Sequence, residues 1–335
     1  MTAQKPHGRS GLSVRIGIEP SASHRTEFFR FYFNKSTLAA NHISVDLPQL
    51  GQGPAVCEFW ETDEEVTTGI EHSIQFAETN SWLMLHLSEK LVDESISDAT
   101  HRIYSRVLKE AHKRGYHDIV RTWNYMPAIN SGDGDLEVYR RFAVGRAIAL
   151  EELNIDATAL PAATAIGSSA GTPLSITLLA GKTNLSSKKS SAVENPRIEN
   201  PRQTSAFTYP REYGPRSPSF SRAVLIEEST LLISGTASIL GHKSMHKSEI
   251  QNQAKETAAN ILALRAATTH HEKRGLPAKA PSQLRIYLRD ASDYDVALFA
   301  LSPLLCEPCN YVVLKGDICR RDLLLEVEAV YHLPH

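Results

Sequence analysis

Glu326 and Glu328 are the residues best suited by type and spacing to proton chemistry. They lie two positions apart in Leu323-Leu324-Leu325-Glu326-Val327-Glu328-Ala329-Val330, a run that is otherwise apolar. Strand side chains alternate faces, so both carboxyls share a side with Leu324 and Val330. A carboxylate placed there must be paired, solvated or protonated. A glutamic acid kept protonated beside a pocket can deliver a proton at neutral pH. Glu326 is read as that donor. For Glu328 a water-facing place on a sheet edge stands as the alternative.

Cys306-Glu307-Pro308-Cys309 has the spacing of a metal or redox pair. Zinc would need two more ligands at similar spacing, and Cys57 and Cys319 stand alone. A redox pair would open a helix after a strand, whereas Pro308 precedes the strand-like Tyr311-Val312-Val313-Leu314. The pair reads as a local loop, and the sequence indicates no metal and no organic cofactor.

The elements that must position these groups follow from hydrophobic periodicity. Short strands are expected over Leu12–Ile18, His42–Leu47, Ala55–Trp60, Ser73–Phe76 and Ser81–Leu87. A helix begins near Ser97-Asp98 and runs to Lys113, with Ile103, Val107, Leu108 and Ala111 on one side and Gly115 as its stop. The strand Ile119–Met126, a helix over Leu136–Leu150 and the strand Leu174–Ala180 close this half. The second half repeats the order. Ala223–Ile226 and Thr230–Ile233 form a hairpin, followed by a small-residue turn at Ser234-Gly235-Thr236-Ala237. A helix over Glu249–Ala267, the strand Leu284–Leu288, a helix near Tyr294–Leu301 and the acidic closing strand come next. Internal duplication is the simplest account. Where the second copy has Glu326-Val327-Glu328, the first has Ser175-Ile176-Thr177, so one cleft alone would carry carboxylates.

Between the halves, Gly181–Ser191 reads as a mobile surface loop. Residues 193–222 then hold five prolines interleaved with arginine and tyrosine. The prolines exclude helix, and the arginines suit a fixed loop that presents guanidinium groups to an anion. A Pro-rich linker with solvated arginines is the alternative.

The chain has 335 residues, 41% of them hydrophobic, and a formal charge of −2. That length fits about two domains, and the charge argues against a general nucleic-acid binder. No apolar run approaches the roughly 20 residues that span a bilayer. Four cysteines without an export signal point to the cytoplasm.

From Arg222 to His332 the chain resembles the reactive-intermediate deaminase (RidA/YjgF) fold. The resemblance rests on Leu232-Ile233-Ser234-Gly235, the alanine-rich helix, Arg285-Ile286-Tyr287-Leu288 and Leu325-Glu326-Val327-Glu328-Ala329. It implies that Glu326 sits in an active site. The family's carboxylate-binding arginine is replaced by Pro308-Cys309-Asn310-Tyr311, which speaks against imine hydrolysis.

The whole chain more closely resembles the chorismatases. The carriers are Arg121-Thr122-Trp123-Asn124-Tyr125, Tyr139-Arg140-Arg141-Phe142 with Gly145-Arg146, and Pro161-Ala162-Ala163-Thr164 with Gly167. The proline-arginine segment to Arg222, Ser234–His242 and Cys319-Arg320 with the closing strand complete them. The resemblance implies an α+β fold of two fused RidA/YjgF-like (chorismate mutase-like) halves, each a mixed sheet with helices on one face. The expected division is 1–220, with the proline-arginine substrate loop, and 221–335, with the acid.

The implied activity is cleavage of chorismate to pyruvate and 3-hydroxybenzoate, with 4-hydroxybenzoate as a further product. A hydrolytic chorismatase and a non-catalytic small-acid-binding protein remain as alternatives. The substrate is dianionic, and Arg140, Arg146 and Arg216, aided by the Tyr213 hydroxyl, are the candidate holds. Glu326 would protonate the enolpyruvyl methylene carbon. Cys319, seven residues earlier as in the aromatising members, would act on product choice. An odd spacing puts the two on opposite faces of a regular strand, so a bend or bulge or a purely steric role is required. No membrane or nucleic-acid partner is expected, and the chain would act as a monomer or small homo-oligomer.

Overall fold

The computed structural model describes residues 11–18, 24–35, 39–182, 195–268, 281–306 and 309–332. The chain opens with β1 (Ser13–Gly17), β2 (Thr26–Phe33), β3 (His42–Val45) and β4 (Cys57–Thr62), which form a sheet in the order β1-β4-β2-β3. β5 (Thr67–Glu71), β6 (Ile74–Glu78) and β7 (Trp82–Glu89) follow, then α1 (Ile96–Lys113), β8 (Asp118–Pro127) and α2 (Val138–Glu152). β9 (Ala162–Ser168) and β10 (Leu174–Gly181) finish the first half. The second contains β11 (Arg197–Ile198), β12 (Ala223–Ile226), β13 (Thr230–Thr236) and a small ribbon of β14 (Ile239–Leu240) and β15 (Lys243–Ser244). Next are α3 (Ile250–Ala267), β16 (Gln283–Leu288), α4 (Tyr294–Ala300), β17 (Asn310–Lys315), β18 (Asp317–Ile318) and β19 (Leu325–His332).

The expected fold class holds: the chain is α+β, with two mixed sheets of the same inner order. One runs β18-β9-β8-β10-β7-β6-β5 and the other β11-β12-β13-β19-β16-β17. In each, a hairpin leads to a helix, the next strand pairs in parallel with a later one, and the last strand inserts antiparallel in the centre. The expected boundary at 220 is crossed both ways. β11 joins the second sheet, and β18 from the second half pairs with β9 in the first.

Alternation decides which faces meet. Ile103, Val107 and Leu108 of α1 pack with Ile176 and Leu178 of β10, while Ala254, Ala258 and Ile261 of α3 pack with Leu325, Val327 and Ala329 of β19. The opposite faces of both sheets converge on a third core with the four-stranded sheet, including Phe29, Phe31, Trp60, Trp123, Leu232 and Tyr287. Glu326 and Glu328 therefore point away from the helices, into the space between sheets.

The structure differs from the sequence reading at several points. β2 was not anticipated: it buries both faces over most of its length, which removes the period-two alternation. β9, rich in small residues, and the short β5 were also missed. Ser234 and Gly235 belong to β13, whose register shifts between Ile233 and Thr236. α1 is capped by Ser95, whose side chain accepts from the Asp98 amide at 3.2 Å, a contact worth about 1 kcal/mol. The loop expected over Gly181–Ser191 lies outside the described residues beyond 182, as do Glu307 and Pro308. Cys309 has its thiol pushed up to about 12 by burial and then by Cys306, which disfavours the thiolate that metal or redox work needs. Among the described residues, no helix is long and apolar enough to cross a membrane.

Candidate active site

A cavity of about 680 Å³ lies where β9 and α2 of the first half meet β13 and β19 of the second. The halves are sutured at its floor. The Ala163 amide donates to Ser234 Oγ at 2.9 Å, and the Gly235 amide donates to Thr164 Oγ1 at 3.1 Å. Residues 209–222 and the turn 319–322 form the remaining walls.

Glu326 lines this cavity and is 5% exposed. Among the described residues, no hydrogen bond supports its carboxyl. Burial, reinforced by the negative charge of Glu328, pushes its pKa up to about 8, against the smaller pull of Arg121 and Arg222. It therefore holds its proton at neutral pH. Gly235 leaves room for this carboxyl, because a Cβ at that position would push Glu326 Oε1 aside.

Glu328 is equally buried and has the opposite character. It accepts from Arg121, from Trp123 Nε1 at 2.9 Å and from Tyr287, and lies 3.6 Å from Arg285 Nη1. Burial alone would raise its pKa, but Arg285, Arg121 and the Tyr287 hydroxyl outweigh that and hold it below the usual carboxylate range. The water-facing alternative for Glu328 is excluded, because β19 is central in its sheet and the side chain is buried between sheets. Arg285 also forks onto Glu58 at 2.8 and 2.6 Å, and Glu58 accepts from Trp60 Nε1 at 2.8 Å. One ion network thus links all three sheets.

Arg146 and Arg222 also line the cavity, at 4% and 3% exposure. Arg146 donates to Thr122 Oγ1 at 3.2 Å, and Arg222 to Thr204 O at 2.8 Å and Tyr209 OH at 2.7 Å. Among the described residues neither forms an ion pair, and the Nε of each is buried without a partner. Buried guanidinium groups are normally matched by an anion, so the cavity is electrostatically incomplete without one. Arg320 stacks 4.1 Å over the Tyr213 ring and donates to His242 O at 2.9 Å. Arg140 lies on the wall and half-exposed, 3.8 Å from Asp135.

Cys319 sits in the bend between β18 and β19, which is how an odd spacing still brings it to the cavity of Glu326. Burial, then the nearby Glu326, pushes its thiol up to about 12, so it is a neutral, compact wall. Tyr139 is held neutral by the same surroundings, with burial first and Cys319 and Glu326 next.

Five of the six expected site residues, Glu326, Cys319, Arg140, Arg146 and Tyr213, therefore share one cavity. Arg216 does not. It stands outside and pairs with Glu151, because the segment runs along the surface there and turns inward only by Arg222. Arg222, Arg320 and Tyr139 were visible only inside longer motifs and had not been singled out.

Residues 58–180 match the family model described as chorismatase FkbO/Hyg5-like, N-terminal. A chorismatase of Streptomyces hygroscopicus is 34% identical over 285 residues, covering 82% of this chain and 79% of that protein. The chain belongs to the chorismatase family. A 3-hydroxybenzoate synthase of the same species is 30% identical over 284 residues, 82% of this chain and 80% of that one. The solved crystal structure of a chorismatase matches with a TM-score of 0.83 at 30% identity, covering 96% of this chain and 98% of that one. The match to that structure extends over both sheets of this chain.

Proposed function

We propose that the chain cleaves the enolpyruvyl ether of chorismate, releasing pyruvate and forming 3-hydroxybenzoate, with 4-hydroxybenzoate as a further product. The observation that carries this reading is a carboxyl buried in a cavity with two buried guanidinium groups that, among the described residues, lack carboxylate partners, an environment that favours its protonated form. A cavity of about 680 Å³ suits a ligand of this size. Arg146 and Arg222 hold the two carboxylates, with Arg140, Arg320 and Tyr213 around them. Glu326 gives its proton to the methylene carbon of the enolpyruvyl group, the bond from the ether oxygen to ring carbon 3 breaks with its electron pair going to oxygen, and the side chain leaves as pyruvate. The cation left at carbon 3 is captured by the oxygen on carbon 4, which migrates, and loss of the proton from carbon 3 to the Glu326 carboxylate gives 3-hydroxybenzoate and reloads the acid. Loss of the proton from carbon 4 without migration gives 4-hydroxybenzoate. Pyruvate and hydroxybenzoate together contain every atom of chorismate, so no water is consumed overall. A hydrolytic outcome would need water at the ring, and the uncharged thiol of Cys319 fills part of the space it would use. The enzyme works in the cytoplasm on this small acid, as a monomer or small homo-oligomer.

Incubation of the purified protein with chorismate, followed by chromatographic separation, tests the proposal. Pyruvate and hydroxybenzoate appear together in equal amounts; absence of pyruvate overturns the activity, and a dihydrodiol acid overturns the aromatic product. Cys319→Ala enlarges the space beside the ring, and the same chromatogram should show a product ratio changed more than the total rate. An unchanged ratio removes Cys319 from product selection. Arg146→Met lowers kcat/KM by about 10–150-fold, the loss of one charge-assisted contact of about 1.5–3 kcal/mol. Steady-state kinetics within twofold of the parent would take Arg146 out of the substrate's grip.

A further inference from the structure

We propose that Glu328 is a positioning residue for the proton donor: clamped as an anion by groups from two sheets, it keeps the proton on Glu326. The inference rests on the reading of Glu326 as general acid and explains how that acid stays loaded.

The two carboxyls share a face of β19 at the spacing of alternate strand residues, both buried. Glu328 cannot turn away, because Arg121 and Trp123 of β8 hold one oxygen and Tyr287 of β16 the other. An anion fixed at that separation, in surroundings that exclude water, opposes a second negative charge on Glu326. Among the described residues, none gives the donor a hydrogen bond that would favour its charged form. Arg121 is the counterweight. It donates to Glu328 and, at 2.6 Å, to Thr164 Oγ1, so its charge is directed onto Glu328 and the floor of the cavity.

The other groups facing Glu326 do not supply the effect. Arg222, ahead of β12, pulls the other way. Tyr139 of α2 and Cys319 of the turn are neutral at working pH, and Gly235 of β13 has no side chain. Arg146 and Arg320 face Tyr139 and are cations. Glu137, Glu212 and Asp322 also line the cavity, but the charge that acts on the donor, after burial itself, is that of Glu328.

The test is an infrared pH titration of the carboxyl C=O band that disappears in Glu326→Gln, on the full chain without substrate. Glu328→Gln moves the midpoint down by at least one pH unit, so kcat/KM at pH 8.5 falls at least about eightfold. Arg121→Gln moves it up, and the charge-balanced double variant returns it to within half a unit of the parent. Glu328→Asp, which keeps the anion, retains a high midpoint. A general loosening of the structure would not give shifts of opposite sign. A midpoint unchanged in Glu328→Gln, or lowered in both single variants, overturns the inference. If Glu328→Gln does not fold, the direction of Arg121→Gln and the return in the double variant decide it. Absence of any such band in the parent above pH 6 would sink the general-acid reading itself, whereas a band that ignores residue 328 sinks this inference alone.

Discussion

Glu326→Gln removes about three orders of magnitude from kcat, while chorismate affinity stays within about tenfold. The amide keeps the size and most of the polarity of the acid but has no proton to give to carbon. Positioned general acids contribute about 10²–10⁴-fold, so the residual rate measures what the arginines achieve by orientation alone. Single-turnover kinetics with calorimetric binding separate the two effects, and a variant that keeps a tenth of parental turnover would remove Glu326 from its role. The pH dependence carries a defined sign. The acid must be protonated, so kcat/KM falls about tenfold per unit well above about pH 8, where Glu326 titrates in the free protein. Its folded-state pKa is raised, so the folded chain binds this proton more tightly than the unfolded chain does. That stabilisation is complete below the ordinary glutamate value of about 4.5 and is lost as pH rises through about 8. Glu326→Gln should accordingly be more resistant to denaturant than the parent at pH 9, and less distinguishable from it at pH 4.

Arg285→Met destabilises the fold by about 3–5 kcal/mol, lowering the thermal midpoint by on the order of 10 °C. Arg285 is 2% exposed and forks onto Glu58, with Tyr125 OH at 2.6 Å and Glu328 nearby. Removing it strands a buried carboxylate on the four-stranded sheet. The penalty comes from the charge left behind rather than from the worth of the pair. Replacing Glu58 and Arg285 together by methionine therefore recovers much of the loss. Denaturant unfolding of the three proteins checks this, and a single variant within 1 kcal/mol of the parent contradicts it.

The proton donor was legible because acids two apart in an apolar strand have few explanations, and alternation fixed their shared face. The repeated order of elements was legible because α1 and α3 each bury one side at helical spacing, while the central strands are short apolar runs bounded by turn residues. β2 was not, since an aromatic run buried on both sides has no period to read. Among arginines in a proline-rich segment, type and spacing do not distinguish inside from outside. Arg216 and Arg222 look alike in sequence, and only the path of the chain sends one to Glu151 and the other beneath Tyr209. The clamp on Glu328 was invisible because its partners, Arg121, Trp123 and Tyr287, come from distant parts of the chain.

The exchange of β18 into the neighbouring sheet limits how this molecule can breathe. A clamshell opening of the two halves would have to unzip Asp317 and Ile318 from Gly167 and Ile166, together with the amide contacts of Ala163 and Gly235. With the sheets fastened there, a ligand would reach the cavity past the exposed Lys243, Lys247 and Arg321 on its lining rather than through a parting of the two halves.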